Sequence, residues 1–239
     1  NSFTRPGDKV MIQPPVYHPF AWVTTRNERT LVTNPLKWEN GMYRMDLDAF
    51  REQVKGCKLF ILCNPHNPGG VVWTEDELRT VAEICYEEKV LVFSDEIHAD
   101  LTLPPYKHRP FATISEKAKM NSVTFMSPSK AFNMPGLAAS HAIIFNEDLR
   151  ARFRKFMDAG ELDMGHVFAF LSVEAAYTHG TEWLDQCLAY IQGNIDYVDN
   201  FLKTHAPRIK AIRPQASYLV WLDCRELGLN QEALNDFFA

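Results

Sequence analysis

The chain has 239 residues, 46% of them apolar, and 25 Lys and Arg against 30 Asp and Glu give a net charge of −5. That is enough apolar sequence for one sizeable core, or for a large domain with a piece of a second, and the acidic balance without a basic stripe argues against nucleic acid or an anionic membrane as a partner. No apolar stretch reaches the length of a membrane span, and five scattered cysteines outside any CxxC or Cys/His cluster read as reduced, mostly buried thiols of a cytoplasmic protein with no metal centre.

Taken in order, GDKVMIQ (7–13) and RTLVTNPL (29–36) predict short strands, and DLDAFREQV (46–54) an amphipathic helix. KLFILCN (58–64) is a β-rich apolar run stopped by the turn signal NPHNPGG. TEDELRTVAEICYEEK (74–89) predicts a helix: Thr74 and Glu77 form a capping box, and Leu78, Val81, Ala82 and Cys85 line one stripe. VLVFSDE (90–96), NSVTFMS (121–127) and ASHAIIFN (139–146) predict three more strands, with a helix at EDLRARFRKFMD (147–158). Helices follow at 166–179 and 181–205, the first with Phe168, Leu171 and Ala175 as an expected packing stripe; IKAIRP and SYLVWLDC then read as strands. The chain opens in mid-phrase and stops inside the helical pattern NQEALNDFFA, so a piece of a longer protein is expected.

Short apolar strands alternating with helices predict an α/β protein, a three-layer α/β/α arrangement around a mostly parallel sheet buried on both faces. The texture changes after residue 160, which suggests a large domain over 1–190 and the start of a smaller α+β domain over 191–239. Ligands of such sheets gather at the carboxyl ends of the strands. The unusual motifs sit there: NPHNPGG, SDEIH and SPSK each end a strand.

Singly, each motif has a plain reading. Lys130 in SPSK is an exposed loop lysine, Asp95 in SDE a helix cap or ion-pair member, Asn67 part of a tight turn, and Tyr17 in PPVYHPF ordinary packing. A buried strand-end carboxylate nevertheless needs a cationic partner, and a lysine becomes a nucleophile when desolvated or held as an imine. Together, in the order Tyr17, Asn67, Asp95, Lys130, the motifs resemble the fold-type I pyridoxal-phosphate enzymes, the aspartate aminotransferase superfamily of class I and II, over essentially the whole chain. The resemblance implies pyridoxal 5'-phosphate as cofactor. Lys130 would bond its aldehyde, Asp95 pair with its pyridine nitrogen, Asn67 touch its phenolic oxygen, Ser127 and Ser129 contact its phosphate, Ser127 the better of the two, and Tyr17 stack on its ring.

Two departures point to a branch. Ala138 stands where many members carry a phosphate-clamping arginine, and His98 where they carry tyrosine. SDEIHADL, HRPFATISE and SPSKAFNMPGL resemble the cystathionine β-lyase, or C–S lyase, branch, and place His98 near the phenolic oxygen. The resemblance implies β-elimination from a cystathionine-like amino acid, giving thiol, pyruvate and ammonia. An aminotransferase, a regulatory cofactor-binding protein without turnover, and an inert fragment stand as alternatives. The family's phosphate loop and its substrate-carboxylate arginine are expected outside this chain, and a homodimer is expected for the longer protein.

Overall fold

The computed structural model describes residues 1–239. Its elements run β1 (Lys9–Ile12), α1 (Pro19–Arg26), β2 (Thr30–Thr33), a hairpin of β3 (Lys37–Glu39) and β4 (Met42–Arg44), α2 (Leu47–Gln53) and β5 (Cys57–Cys63). They continue with α3 (Glu75–Glu87), β6 (Leu91–Asp95), α4 (Glu116–Met120), β7 (Ser122–Met126), β8 (His141–Ile143) and α5 (Glu147–Ala159). The chain ends with α6 (Val167–His179), α7 (Thr181–His205), β9 (Lys210–Ile212), β10 (Trp221–Asp223) and α8 (Gln231–Phe238).

Six strands form one sheet in the order β2-β1-β5-β6-β7-β8; the first five are parallel, and β8 is antiparallel to β7. Parallel strands need long crossovers, and α2, α3 and α4 supply the covering helices between them. Each starts on a side-chain cap. Asp46 accepts from Ala49 N–H, Thr74 makes the full capping box with Glu77, and Ser115 accepts from Ala118 N–H. The α3 stripe of Leu78, Val81, Ala82 and Cys85 is fully buried, as its spacing predicts.

The mostly parallel α/β sheet is as expected, but its two faces differ. One packs under α2, α3 and α4 through a cluster of 20 buried residues that includes Phe50, Phe60, Leu62, Trp73 and Phe111. On the other, only Val10, Leu59 and Leu91 are buried together, with Phe3, Ile61, Phe93 and Leu149 partly covered. The three-layer expectation holds, with α1 and α5 covering the second face more thinly; Ile12, Cys63 and Val123 are buried there as well. The expected packing stripe of α6 is overturned: Phe168 is 69% and Leu171 56% exposed, and Ala175 is exposed as well. Helical spacing identifies a face, but what covers that face is set by the rest of the molecule.

Helix α7 runs unbroken through residue 190, where the texture of the sequence suggested a division. The segment after it forms a separate two-stranded antiparallel sheet, β9 with β10. No helix is long and apolar enough to cross a membrane.

Candidate active site

The register of the sheet sets the site. Cys63 lies opposite Asp95, and Asp95 opposite Phe125, so β5, β6 and β7 end side by side. Beyond the strands the ladder continues, Asn64 N–H donating to Asp95 O (2.9 Å) and Glu96 N–H to Phe125 O (2.9 Å). The loops carrying Asn67, His98 and Lys130 therefore leave from one edge.

Asp95 and Glu96 are consecutive, and the pleat sends them to opposite faces. Glu96, 1% exposed, is fully engaged: Ser94 Oγ (2.7 Å) and Phe111 N–H (2.9 Å) donate to one oxygen, and His108 Nε2 lies 2.7 Å from the other. Asp95 accepts only from Ile97 N–H at 3.2 Å. Desolvation lifts its carboxyl from the ordinary 3.8 to about 6, the charge of Glu96 pushes the same way, and the Ile97 N–H and Lys130 charge oppose. An acid held this way has room for a cationic partner. It borders a cavity of about 310 Å³ with Phe20, Ile61, Phe93, Phe125 and Ser127. The lining takes in Asp95 and Ser127 but not Lys130.

Asn67 and His98 meet on the adjoining loops, Asn67 Nδ2 lying 3.3 Å from His98 Nε2. With the amide donating, Nε2 accepts and the ring proton sits on Nδ1, which is buried without a partner. Burial first, and the Lys130 charge second, hold His98 down at about 4, so its ring is neutral at pH 7. Lys130 thus acts electrostatically on both Asp95 and His98, four residues beyond the end of β7. Tyr17 joins the same group through its backbone, its N–H donating to Asn67 O at 3.0 Å, with its ring edge-on to Phe20.

Ser127 and Ser129 are buried and paired. Ser127 Oγ donates to Ala139 O (2.5 Å) and accepts from Ser129 N–H (3.1 Å), and the two hydroxyls are 2.8 Å apart. With the proton of Ser127 committed to Ala139 O, the bridge between the hydroxyls is Ser129 O–H donating to Ser127 Oγ, a bond it can exchange for another acceptor.

The glycines of NPHNPGG have a reason within the chain. A Cβ on Gly70, whose φ is +65°, would meet Pro214 Cβ at 2.6 Å, and one on Gly69 would meet His66 Nδ1 at 2.9 Å. His66 itself is buried against Trp73, and burial holds it at about 4. The reading of sequence missed one neighbour of the site. Tyr218 follows β9 on a turn docked against Gly70, and its ring lies 6.1 Å from that of His98. SYLVW signals only a strand, and nothing local in it points to the distant loops.

The sequence pattern of aminotransferase class I and II matches residues 2–237. The chain belongs to that family. Cystathionine beta-lyase PatB of Bacillus subtilis is 43% identical over 235 residues, which are 98% of this chain and 61% of that protein. Among solved structures, a PLP-bound putative aminotransferase from Clostridium difficile 630 superposes with a TM-score of 0.96 at 40% identity, over 99% of this chain and 61% of its own. Cystalysin from Treponema denticola, whose structure contains a pyridoxal 5'-phosphate cofactor, gives a TM-score of 0.96 at 36% identity, over 99% of this chain and 60% of its own. The chain spans about three fifths of the length of the relatives it matches.

Proposed function

We propose that this chain is the cofactor-binding part of a pyridoxal-phosphate-dependent carbon–sulfur lyase, acting in the cytoplasm on cystathionine-like thioether amino acids. One observation carries the reading: an under-partnered acid, an amide–imidazole pair and a lysine converge on adjacent ends of three parallel strands. The name of the Bacillus relative and the cofactor in cystalysin support it.

The residues present fit the cofactor. Asp95 has an oxygen to spare for a protonated ring nitrogen. Asn67, with the His98 ring beside it, suits a phenolic oxygen, and Lys130 suits an aldehyde. Ser129 offers its hydroxyl to a phosphate, with Ser127 holding the loop in shape. Tyr17 supplies an aromatic face for the ring. Pyridoxal phosphate, when bound, supplies an aldehyde that condenses with amines and a ring that accepts the electron pair left by the departing α-proton. Lys130 would hold the aldehyde and, once displaced by the substrate's amine, take the α-proton as general base. Asp95 would keep the ring nitrogen protonated. The Cβ–S bond would break with its electron pair going to sulfur as the pair from the α-proton forms Cα=Cβ, the departing thiolate would take up a proton, and water would convert the remaining three-carbon fragment to pyruvate and ammonia.

The same proposal covers a homodimer. Helix α6 is apolar around most of its circumference, and Leu162 (57%), Met164 (80%) and Phe170 (62%) beside or within it are exposed, a patch suited to a second copy. It also covers a division near residue 190, since every residue assigned to the cofactor lies before it.

The test is Lys130→Ala. Loss of the cofactor's visible absorbance band and of turnover is expected; normal turnover by this variant would sink the assignment. Assays for pyruvate and free thiol, set against amino transfer to a keto acid, separate the lyase from an aminotransferase, the activity for which the Clostridium relative is named.

A further inference from the structure

The turn at Pro214–Tyr218 joins the late part of the chain to the early part in a strained conformation. Ser217 adopts φ +76°, is 2% exposed, and buries a hydroxyl that has no partner. A non-glycine residue in this left-handed region is costly and persists where its surroundings over-determine it. Those surroundings are a set of hydrogen bonds. Gln215 N–H donates to Gly70 O (2.7 Å), and its side-chain oxygen accepts from Val72 N–H (2.8 Å). Leu103 N–H donates to Gln215 O and Ser217 N–H to Leu101 O, both at 2.9 Å, and Ala216 bridges Thr102.

Gly70 lies three residues after Asn67, and Leu101 three residues after His98. The turn is therefore fastened to the two loops that form the amide–imidazole pair. Its strain delivers one side chain to that pair: Tyr218, 44% exposed, with its ring edge-on to His98. Tyr17 is close enough for its phenol to act on that of Tyr218, which desolvation chiefly holds above its ordinary value. The rings of His98 and Tyr218 thus stand together beside Asn67, to which Tyr17 is bonded through its backbone.

We propose that Tyr218 is a specificity-determining residue whose ring receives the sulfur of the substrate's side chain. This deepens the lyase reading and rests on it. Thioether sulfur against an aromatic ring is favourable where a methylene of the same size gains only ordinary contact. An aromatic wall beside the Asn67–His98 pair would select sulfur-bearing side chains before any bond breaks.

The isosteric pair methionine and norleucine isolates that contribution. Neither carries a leaving group at Cβ, so binding is read at equilibrium from the absorbance of the full-length, cofactor-loaded protein. The parent is expected to bind methionine about two- to tenfold more tightly than norleucine. Tyr218→Phe should keep the preference and Tyr218→Leu should abolish it, with cofactor affinity unchanged in both. Absence of the preference in the parent, or its survival in Tyr218→Leu, overturns the proposal. If Tyr218→Leu does not fold, Tyr218→Phe still decides, because loss of the preference there would place the selectivity in the hydroxyl and not in the ring. Should the parent itself take up no cofactor at Lys130, the underlying reading fails instead, and the missing absorbance band shows which of the two has failed.

Discussion

The two faces of the six-stranded sheet are made from the same strands and differ in almost everything else. Under α2, α3 and α4 lies a continuous core of 20 buried residues, in which even the carboxylate of Glu96 has every partner it needs. The opposite face is more thinly covered: its apolar cluster has three buried residues, and it carries a cavity and, in Asp95, a carboxylate with a single donor. The closed face holds the molecule together. The open face keeps unsatisfied groups available, and chemistry requires such groups. Asp95 and Glu96, neighbours at one strand end, show that two adjacent acids can differ completely in the hydrogen-bonding capacity they have left.

Three substitutions test that contrast. The largest effect is expected on the closed face, where Phe60→Ala removes a fully buried ring packed against Phe50 (centroids 4.9 Å apart) and should cost about 3–5 kcal/mol in urea unfolding. A cost below about 1 kcal/mol would mean that this face is less tightly filled than it looks.

The next is a change with pH. The folded carboxyl of Asp95, at about 6, lies above its ordinary 3.8, so the folded state holds that proton more tightly and stability from this group is lost as pH rises from about 4 to about 6. His98, at about 4 against an ordinary 6.5, has the opposite sign, and its contribution grows as pH climbs through nearly the same window. The two largely cancel in the parent. Asp95→Asn removes one of them, so its stability relative to the parent should rise by about 2–3 kcal/mol between pH 4 and pH 6 and then level off. A difference that stays flat across that window would show Asp95 to be solvated.

The smallest effect is expected from Phe93→Ala on the open face. The ring of Phe93 meets Phe3 edge-on at 5.6 Å and Phe125 at 5.1 Å, but it borders the cavity and is only partly covered, so a cost of about 1–2 kcal/mol is expected. A cost equal to that of Phe60→Ala would erase the distinction between the faces.

Much of the framework was legible locally. Apolar runs ended by turn signals mark β5, β6 and β7, and the Thr74 capping box with its stripe marks α3, because these signals lie within a few residues of what they specify. Helix α1 escaped notice because PFAWVTTR begins with proline, ends in β-branched residues and has no side-chain cap. The β3–β4 hairpin is only three residues a side. The motif order names the strands that carry Asn67, Asp95 and Lys130, but the adjacency of those strands is a matter of topology. The exposure of Phe168 and the approach of Tyr218 to His98 depend on contacts far along the chain, and no short window contains them.

The alternation that separates Asp95 from Glu96 has an evolutionary corollary. Inserting or deleting one residue within Leu91–Asp95 would turn each acid toward the other's face, presenting the longer Glu96 to the cavity and pulling it from the partners that Phe111 and His108 provide. Length in this strand should therefore be fixed far more strictly than composition, and indels in the lineage should fall in the loops beyond it.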